Sequence, residues 1–160
     1  MKKIAIIWPV YPWRGGIAHH TSAFAHYLGV AGLVAEVFSF SYQYPSFLYP
    51  GKFQKESWEN PFLDLKVHFV LSTINPITWW HTYRRIVQGK FSVCVFKYWH
   101  FYFVPCFLVI AFFLKRKNIK IICIVDNLYT HEKNFLNKIF VKSFFSCVDL
   151  SITQSVTVDN

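Results

Sequence analysis

Acidic side chains are scarce in this sequence. The 8 Asp and Glu stand against 17 Lys and Arg, and the formal charge is +9 at pH 7. Such an excess favours phosphate-bearing ligands or an anionic lipid surface as partners, although a generally basic solvated surface would carry the same charge. Nucleic acid is not an expected partner, because neither a basic helix with interleaved aromatics nor an RNP-like signature occurs. The dinucleotide fingerprint G-x-G-x-x-G is also missing, and the second strand ends in Ser39-Phe40-Ser41. With no acidic residue there to hold a ribose, a nicotinamide- or flavin-dependent oxidoreductase is disfavoured.

A membrane-spanning run is likewise lacking. The apolar stretch Phe101 to Leu114 is interrupted by Pro105 and falls short of the roughly 20 residues a spanning helix needs. A buried helix is the expectation. Lys2 and Lys3 before Ile4-Ala5-Ile6-Ile7 imitate the start of a signal peptide, but Pro9, Pro12 and Arg14 break the apolar region and no small-residue cleavage site follows. A cytoplasmic location is expected. Cysteine is sparse and scattered: Cys94, Cys106, Cys123 and Cys147 lie far apart in apolar segments, unlike metal-ligand pairs or a disulfide framework.

Apolar residues make up 54% of the 160 and aromatics 21%, with 18 Phe and 6 Trp, so the chain is no disordered segment and has length for one packed domain. The aromatic excess fits a membrane segment, a domain whose missing partner would cover exposed rings, or contact with a lipid-linked substrate.

Hydrophobic patterning alternates strand-length and helix-length segments, the pattern of parallel βαβ units. Strands are predicted at Lys3 to Trp8, Leu33 to Phe40, Leu65 to Leu71, Phe91 to Tyr98, Lys120 to Val125 and Leu150 to Thr153. Helices are predicted from Ile17 to Ala31 with Gly32 as the stop, from Pro76 to Val87 ended by Gly89, from Phe103 to Leu114, and from Glu132 to Ser146. A long loop, Ser41 to Pro61, follows the second strand. The near-continuous apolar runs of the first and fifth strands suit a sheet buried on both faces, whose ligands bind outside the carboxyl ends of the strands.

Three clusters fall at those ends. The first is Arg14-Gly15-Gly16-Ile17-Ala18-His19, between the first strand and the first helix. Gly15 and Gly16 permit close backbone approach, and free N–H groups at the helix start attract phosphate, yet a sharp turn alone explains paired glycines equally well. His19 is the histidine best placed for ligand contact. One metal ion cannot join His19 and His26, which lie two helical turns or about 10 Å apart, so no metal site is expected. The second cluster is Asp126-Asn127-Leu128-Tyr129-Thr130-His131-Glu132 after the fifth strand, where Asp126, Asn127, His131 and Glu132 offer groups that orient hydroxyls or accept a proton. Taken singly, these residues are also ordinary turn and cap formers. The third is Trp99-His100 after the fourth strand, where the indole suits a sugar face and the imidazole a hydroxyl; packing is the plainer explanation.

Together the clusters resemble a retaining, GT-B-fold glycosyltransferase of family 4, a group that includes many enzymes of bacterial cell-envelope polysaccharide and lipopolysaccharide biosynthesis. Arg14-Gly15-Gly16-Ile17-Ala18-His19 is similar to that family's glycine loop. Phe38-Ser39-Phe40, Gln43-Tyr44-Pro45 and Pro50-Gly51-Lys52 resemble its second strand and loop, and Asn75-Pro76-Ile77-Thr78-Trp79-Trp80 and Trp99-His100 resemble segments of one subgroup. After the fifth strand the family reads His-Asn, a short spacer, then His-Glu. Asn127, His131 and Glu132 match, while Asp126 stands in place of the first His, which contacts the transferred sugar.

The resemblance implies a Rossmann-like parallel sheet with helices on both faces, the N-terminal, acceptor-side half of a GT-B fold. It assigns catalytic roles to Asp126, His131 and Glu132, and substrate contacts to Gly15, Gly16, His19, Trp99, His100 and Asn127. A sugar would pass from a nucleotide-sugar donor to a polysaccharide or lipid-linked acceptor, with no cofactor. Nothing in the 160 residues corresponds to the family's nucleotide-binding domain, so the donor is expected to bind only with a second C-terminal domain, a separately encoded one being an option, and the chain to be inactive alone. Asp126 lacks an imidazole donor and is expected to bring negative charge near the donor's phosphates. Lys115, Arg116 and Lys117 are candidate contacts to inner-membrane headgroups. The alternative is a non-catalytic binding module or the remnant of a disrupted transferase.

Overall fold

The computed structural model describes residues 2–45, 54–55, 64–126 and 135–153. Six strands form one sheet: β1 (Lys3–Ile7), β2 (Val34–Tyr42), β3 (Val67–Ser72), β4 (Val93–Tyr98), β5 (Lys120–Val125) and β6 (Leu150–Thr153). Their spatial order is β3-β2-β1-β4-β5-β6, with every neighbouring pair parallel. The described helices are α1 (Gly16–Val30), α2 (Pro76–Gln88), α3 (Val104–Lys115) and α4 (Phe135–Phe145). This is the Rossmann-like α/β architecture that the alternating pattern predicts. The order reverses between β1 and β4, which makes the crevice above that pair the switch point.

Side-chain alternation divides the sheet into two buried faces. Ala5, Ile7, Phe96, Ile121 and Cys123 share one core with Ile86 of α2, Phe107, Ile110 and Leu114 of α3, and Phe144 of α4. Ile4, Ile6, Val37, Val95 and Ile124 face the other way and pack with Ala25, Ile17, Phe24 and Leu28 of α1. These α1 residues, with buried Ala18, Thr21 and Ser22, make the packing face of the helix. Much of the aromatic excess is consumed inside the domain. Phe96, Phe103, Phe107 and Phe144 meet with ring centroids between 5.3 and 6.0 Å, near the preferred spacing for edge and offset contacts. The run Phe101 to Leu114 forms a 3₁₀ turn (Phe101–Phe103) and α3, and α3 buries Cys106, Phe107, Ile110, Ala111 and Leu114. No helix among the described residues is long and apolar enough to cross a membrane.

Helix ends account for most departures from the predicted boundaries. After α2 the chain closes a Schellman motif: Lys90 N–H donates to Val87 O at 3.0 Å and Phe91 N–H to Ile86 O at 3.4 Å. The left-handed residue there is Lys90, φ 56°, and not Gly89, whose φ is −71°. Gly89 is needed for space, since a Cβ would lie 2.4 Å from the Phe91 ring. Phe91 is thus part of the helix stop, and β4 begins at Val93, two residues later than predicted. The same motif ends α1 at Gly32, φ 78°, and α3 at Asn118, φ 56°. At the other boundary, β2 runs on to Tyr42, two residues past the predicted end, because it stays paired with Ser72 of β3.

Candidate functional site

The loop between β1 and α1 is tied down from several sides. Val10 N–H donates to Ser39 Oγ at 3.2 Å, and buried Trp13 donates Nε1–H to Phe40 O at 2.7 Å. Arg14 N–H bonds Gln54 O at 2.9 Å. These anchors carry the chain to Gly15, which precedes α1 with φ 113° and ψ 164°, a conformation essentially confined to glycine. Gly16 opens the helix without a positive φ. A Cβ built on either residue meets nothing within 4 Å among the described residues. The first turn of α1 has neither a side-chain cap nor an acidic residue, which leaves backbone donors directed at the rim. The turn explains Gly15; it does not explain Gly16.

β4 holds a charge in an otherwise apolar and aromatic strand. Lys97 is 2% exposed and lies on the α1 face, paired in register with Ile124. Its Nζ is 2.6 Å from Asp126 Oδ1, and it sits over the Trp8 ring at 4.5 Å from the centroid, a cation–π contact. Asp126 reaches this position by extending the ladder, its N–H donating to Tyr98 O at 3.0 Å. Burial pushes the Lys97 ammonium below its ordinary pKa, and the Asp126 carboxylate opposes that shift. Trp8 is fully buried, and its Nε1–H has no hydrogen-bond partner among the described residues.

His20 completes the cluster from α1. Its ring lies 5.5 Å from Trp8 and is stacked on Phe24 at 6.4 Å with 7° between planes. Desolvation lowers its pKa, repulsion from Lys97 lowers it further, and Asp126 works against both. His20 is therefore mainly neutral at pH 7.

The predicted site residues divide. Gly15, Gly16, His19 and Asp126 stand at the carboxyl rim around the β1–β4 switch point, with His19 exposed in the first turn of α1. Asn127, His131 and Glu132 lie outside the described residues. Trp99 and His100 are at the same rim but have structural work. Trp99 packs on Phe103 with centroids 4.2 Å apart and donates Nε1–H to Tyr44 OH at 3.3 Å. His100 Nδ1 accepts the Tyr102 N–H at 3.2 Å, capping the 3₁₀ turn and leaving the ring proton of a neutral His100 on Nε2. The charge of Asp126 is paired with Lys97, so the pair is neutral as a whole, with its carboxylate end the more exposed of the two. Sequence reading missed Lys97, Trp8 and His20. The available signal was a lone lysine inside Val93-Cys94-Val95-Phe96-Lys97-Tyr98, where a strand buried on both faces has no place for an unpaired cation.

No group of three or more His, Cys, Asp or Glu able to hold a metal occurs among the described residues. All four cysteines are free and buried. Burial pushes the Cys123 thiol up to about 12, and those of Cys94 and Cys106 higher still.

No protein-family model matches the sequence, and no curated protein matches it either. Solved structures do match in shape. Acinetobacter baumannii MurG aligns at TM-score 0.60 and 10% identity, over 99% of this chain and 42% of its own. An alpha-glucosyltransferase, solved with UDP and a 13-mer DNA, aligns at 0.58 and 6%, over 99% and 38%. UDP-GlcNAc 2-epimerase from Methanocaldococcus jannaschii aligns at 0.59 and 10%, over 96% and 39%. The fold is that of a GT-B domain. At such identities the likeness concerns the fold alone, and the chain spans about two-fifths of the length of each neighbour.

Proposed function

We propose that the chain is the acceptor-side domain of a glycosyltransferase, which moves a sugar from a nucleotide-sugar donor to a glycan or lipid-linked acceptor once a nucleotide-binding domain is supplied. The observation that carries this reading is the shared rim: the glycine turn and the Lys97–Asp126 pair both stand above the β1–β4 switch point. Backbone N–H groups at the start of α1 suit a diphosphate, and the polar ends of β4 and β5 suit sugar hydroxyls. The names of the structural neighbours, two of them sugar transferases or UDP-sugar enzymes, agree with this chemistry. His131, Glu132 and Asn127 keep the roles that the family resemblance assigns to them, and retention of anomeric configuration belongs to the same proposal.

Contact with an anionic membrane surface also belongs to it, with a changed set of residues. Lys115 donates to Ser146 O at 3.2 Å and Cys147 O at 3.1 Å, holding the carboxyl end of α4. Arg116, which lies over the exposed Phe112 ring, and the exposed Lys117 remain the headgroup candidates. Their neutralisation should lower binding to vesicles containing phosphatidylglycerol, and unchanged binding removes the membrane contact.

The transferase reading is tested by NMR titration of the chain with millimolar nucleotide sugars in the presence of an added C-terminal nucleotide-binding domain, followed by activity assays with and without that domain. Amide shifts centred on Trp8, Gly15, Gly16 and Asp126 are expected, with transfer only when the second domain is present. Shifts nowhere near that rim would remove the assignment. Transfer by the purified chain alone would refute its role as an acceptor-side domain only.

A further inference from the structure

Burying an ammonium group is costly, and an ion pair rarely recovers the whole cost. In such positions an apolar pair of similar volume is often as stable or more so. Among the described residues Lys97 meets the Asp126 carboxylate at 2.6 Å and the Trp8 ring at 4.5 Å, in a layer otherwise packed with Ile4, Ile6, Val95 and Ile124. Packing alone gives no reason for a cation there. Its position gives one, since the pair stands at the carboxyl rim where the strand order reverses.

Asp126 links the buried cation to the crevice. Oδ1 is buried against the ammonium, while the side chain as a whole remains 22% exposed, so its accessible surface lies on the rest of the carboxymethyl group. A carboxylate accepts hydrogen bonds and donates none. A neutral sugar hydroxyl can donate to it; the carboxylate of an acidic sugar brings like charge instead. Lys97, at 2% exposed, is too deeply placed to reach out and neutralise that second anion.

We propose that Lys97 is a positioning residue that fixes Asp126 as a hydrogen-bond acceptor for a hydroxyl of a neutral sugar, and that the pair selects against uronic acids. This rests on the transferase reading and narrows its substrate class. The expected discrimination is about tenfold or more, the range for one charge-assisted hydrogen bond gained against one like-charge contact.

The experiment titrates the full chain, with the same C-terminal nucleotide-binding domain added, with UDP-glucose and UDP-glucuronate, which differ in the oxidation state of C6, and follows amide shifts at the rim. Wild type should bind the neutral sugar nucleotide about tenfold more tightly. The double variant Lys97→Met with Asp126→Asn, which removes both charges together, should keep its melting temperature or gain, and lose the preference. Retained preference in that variant would overturn the proposal and leave the pair a structural contact, as would its failure to fold. Equal affinities in wild type would also overturn it. No rim shift with either probe would instead sink the transferase assignment itself, which separates the two failures.

Discussion

At the scale of single residues, the two adjacent glycines separate local geometry from ligand access. Gly15 occupies a φ, ψ region that a side chain tolerates only at a cost of about 1–3 kcal/mol, so Gly15→Ala should lower stability by that amount in urea unfolding. Gly16 has ordinary helical geometry and a Cβ there meets nothing within 4 Å among the described residues, so Gly16→Ala should stay within about 0.5 kcal/mol of wild type. Equal losses at both positions would mean that the turn alone demands the pair. Glu36 supplies a second residue-level outcome. Burial would raise its carboxyl pKa, but hydrogen bonds and charges from His68, 2.8 Å away, and Lys66, 2.9 Å away, outweigh burial and bring it below 4.5. A depressed folded pKa contributes stability that is present above the unfolded value and lost as pH falls through the folded one. Thermal melts should therefore decline less steeply below about pH 4.5 in Glu36→Gln than in wild type; identical slopes would exclude Glu36 as a source of acid sensitivity.

At the scale of elements, the α2 stop shows where sequence patterns mislead. Glycine near a predicted helix end reads as the left-handed residue, but here Lys90 adopts that conformation and Gly89 makes room for a ring. Lys90→Gly should stabilise by roughly 0.5–1 kcal/mol, because the exposed lysine pays a steric cost that glycine lacks. Gly89→Ala should destabilise, and Phe91→Leu should recover part of the loss; additive effects would show that the ring is not what constrains position 89. The existence and kind of the described elements were legible because periods of 2 and 3.6 residues depend on local burial, which the chain order carries. Boundaries were less so, since β2 ends where its partner strand ends. Lys97 was hidden for the same reason: its meaning rests on Trp8 and Asp126, which no short window contains. Asp126, by contrast, was visible through a motif, though its compensated charge was not.

For the whole molecule, the parallel sheet and its two-faced core followed from continuous apolar strands, whereas the strand order did not, and part of the aromatic excess found its explanation inside. Thiol accessibility offers a global test of that interior. The four buried cysteines should react negligibly with a thiol reagent at pH 8 in the native state and completely after denaturation. Rapid native labelling would contradict the packing of the sheet against α3 and α4.

Trp8 just after β1, Lys97 in β4 and Asp126 just after β5 lie more than a hundred residues apart at the extremes, so no early subset of the chain can assemble their meeting point. Any molecule recognised there would couple to the global unfolding equilibrium, not to fraying of one segment. Its binding would then slow hydrogen exchange in the central strands as well as beside the ligand.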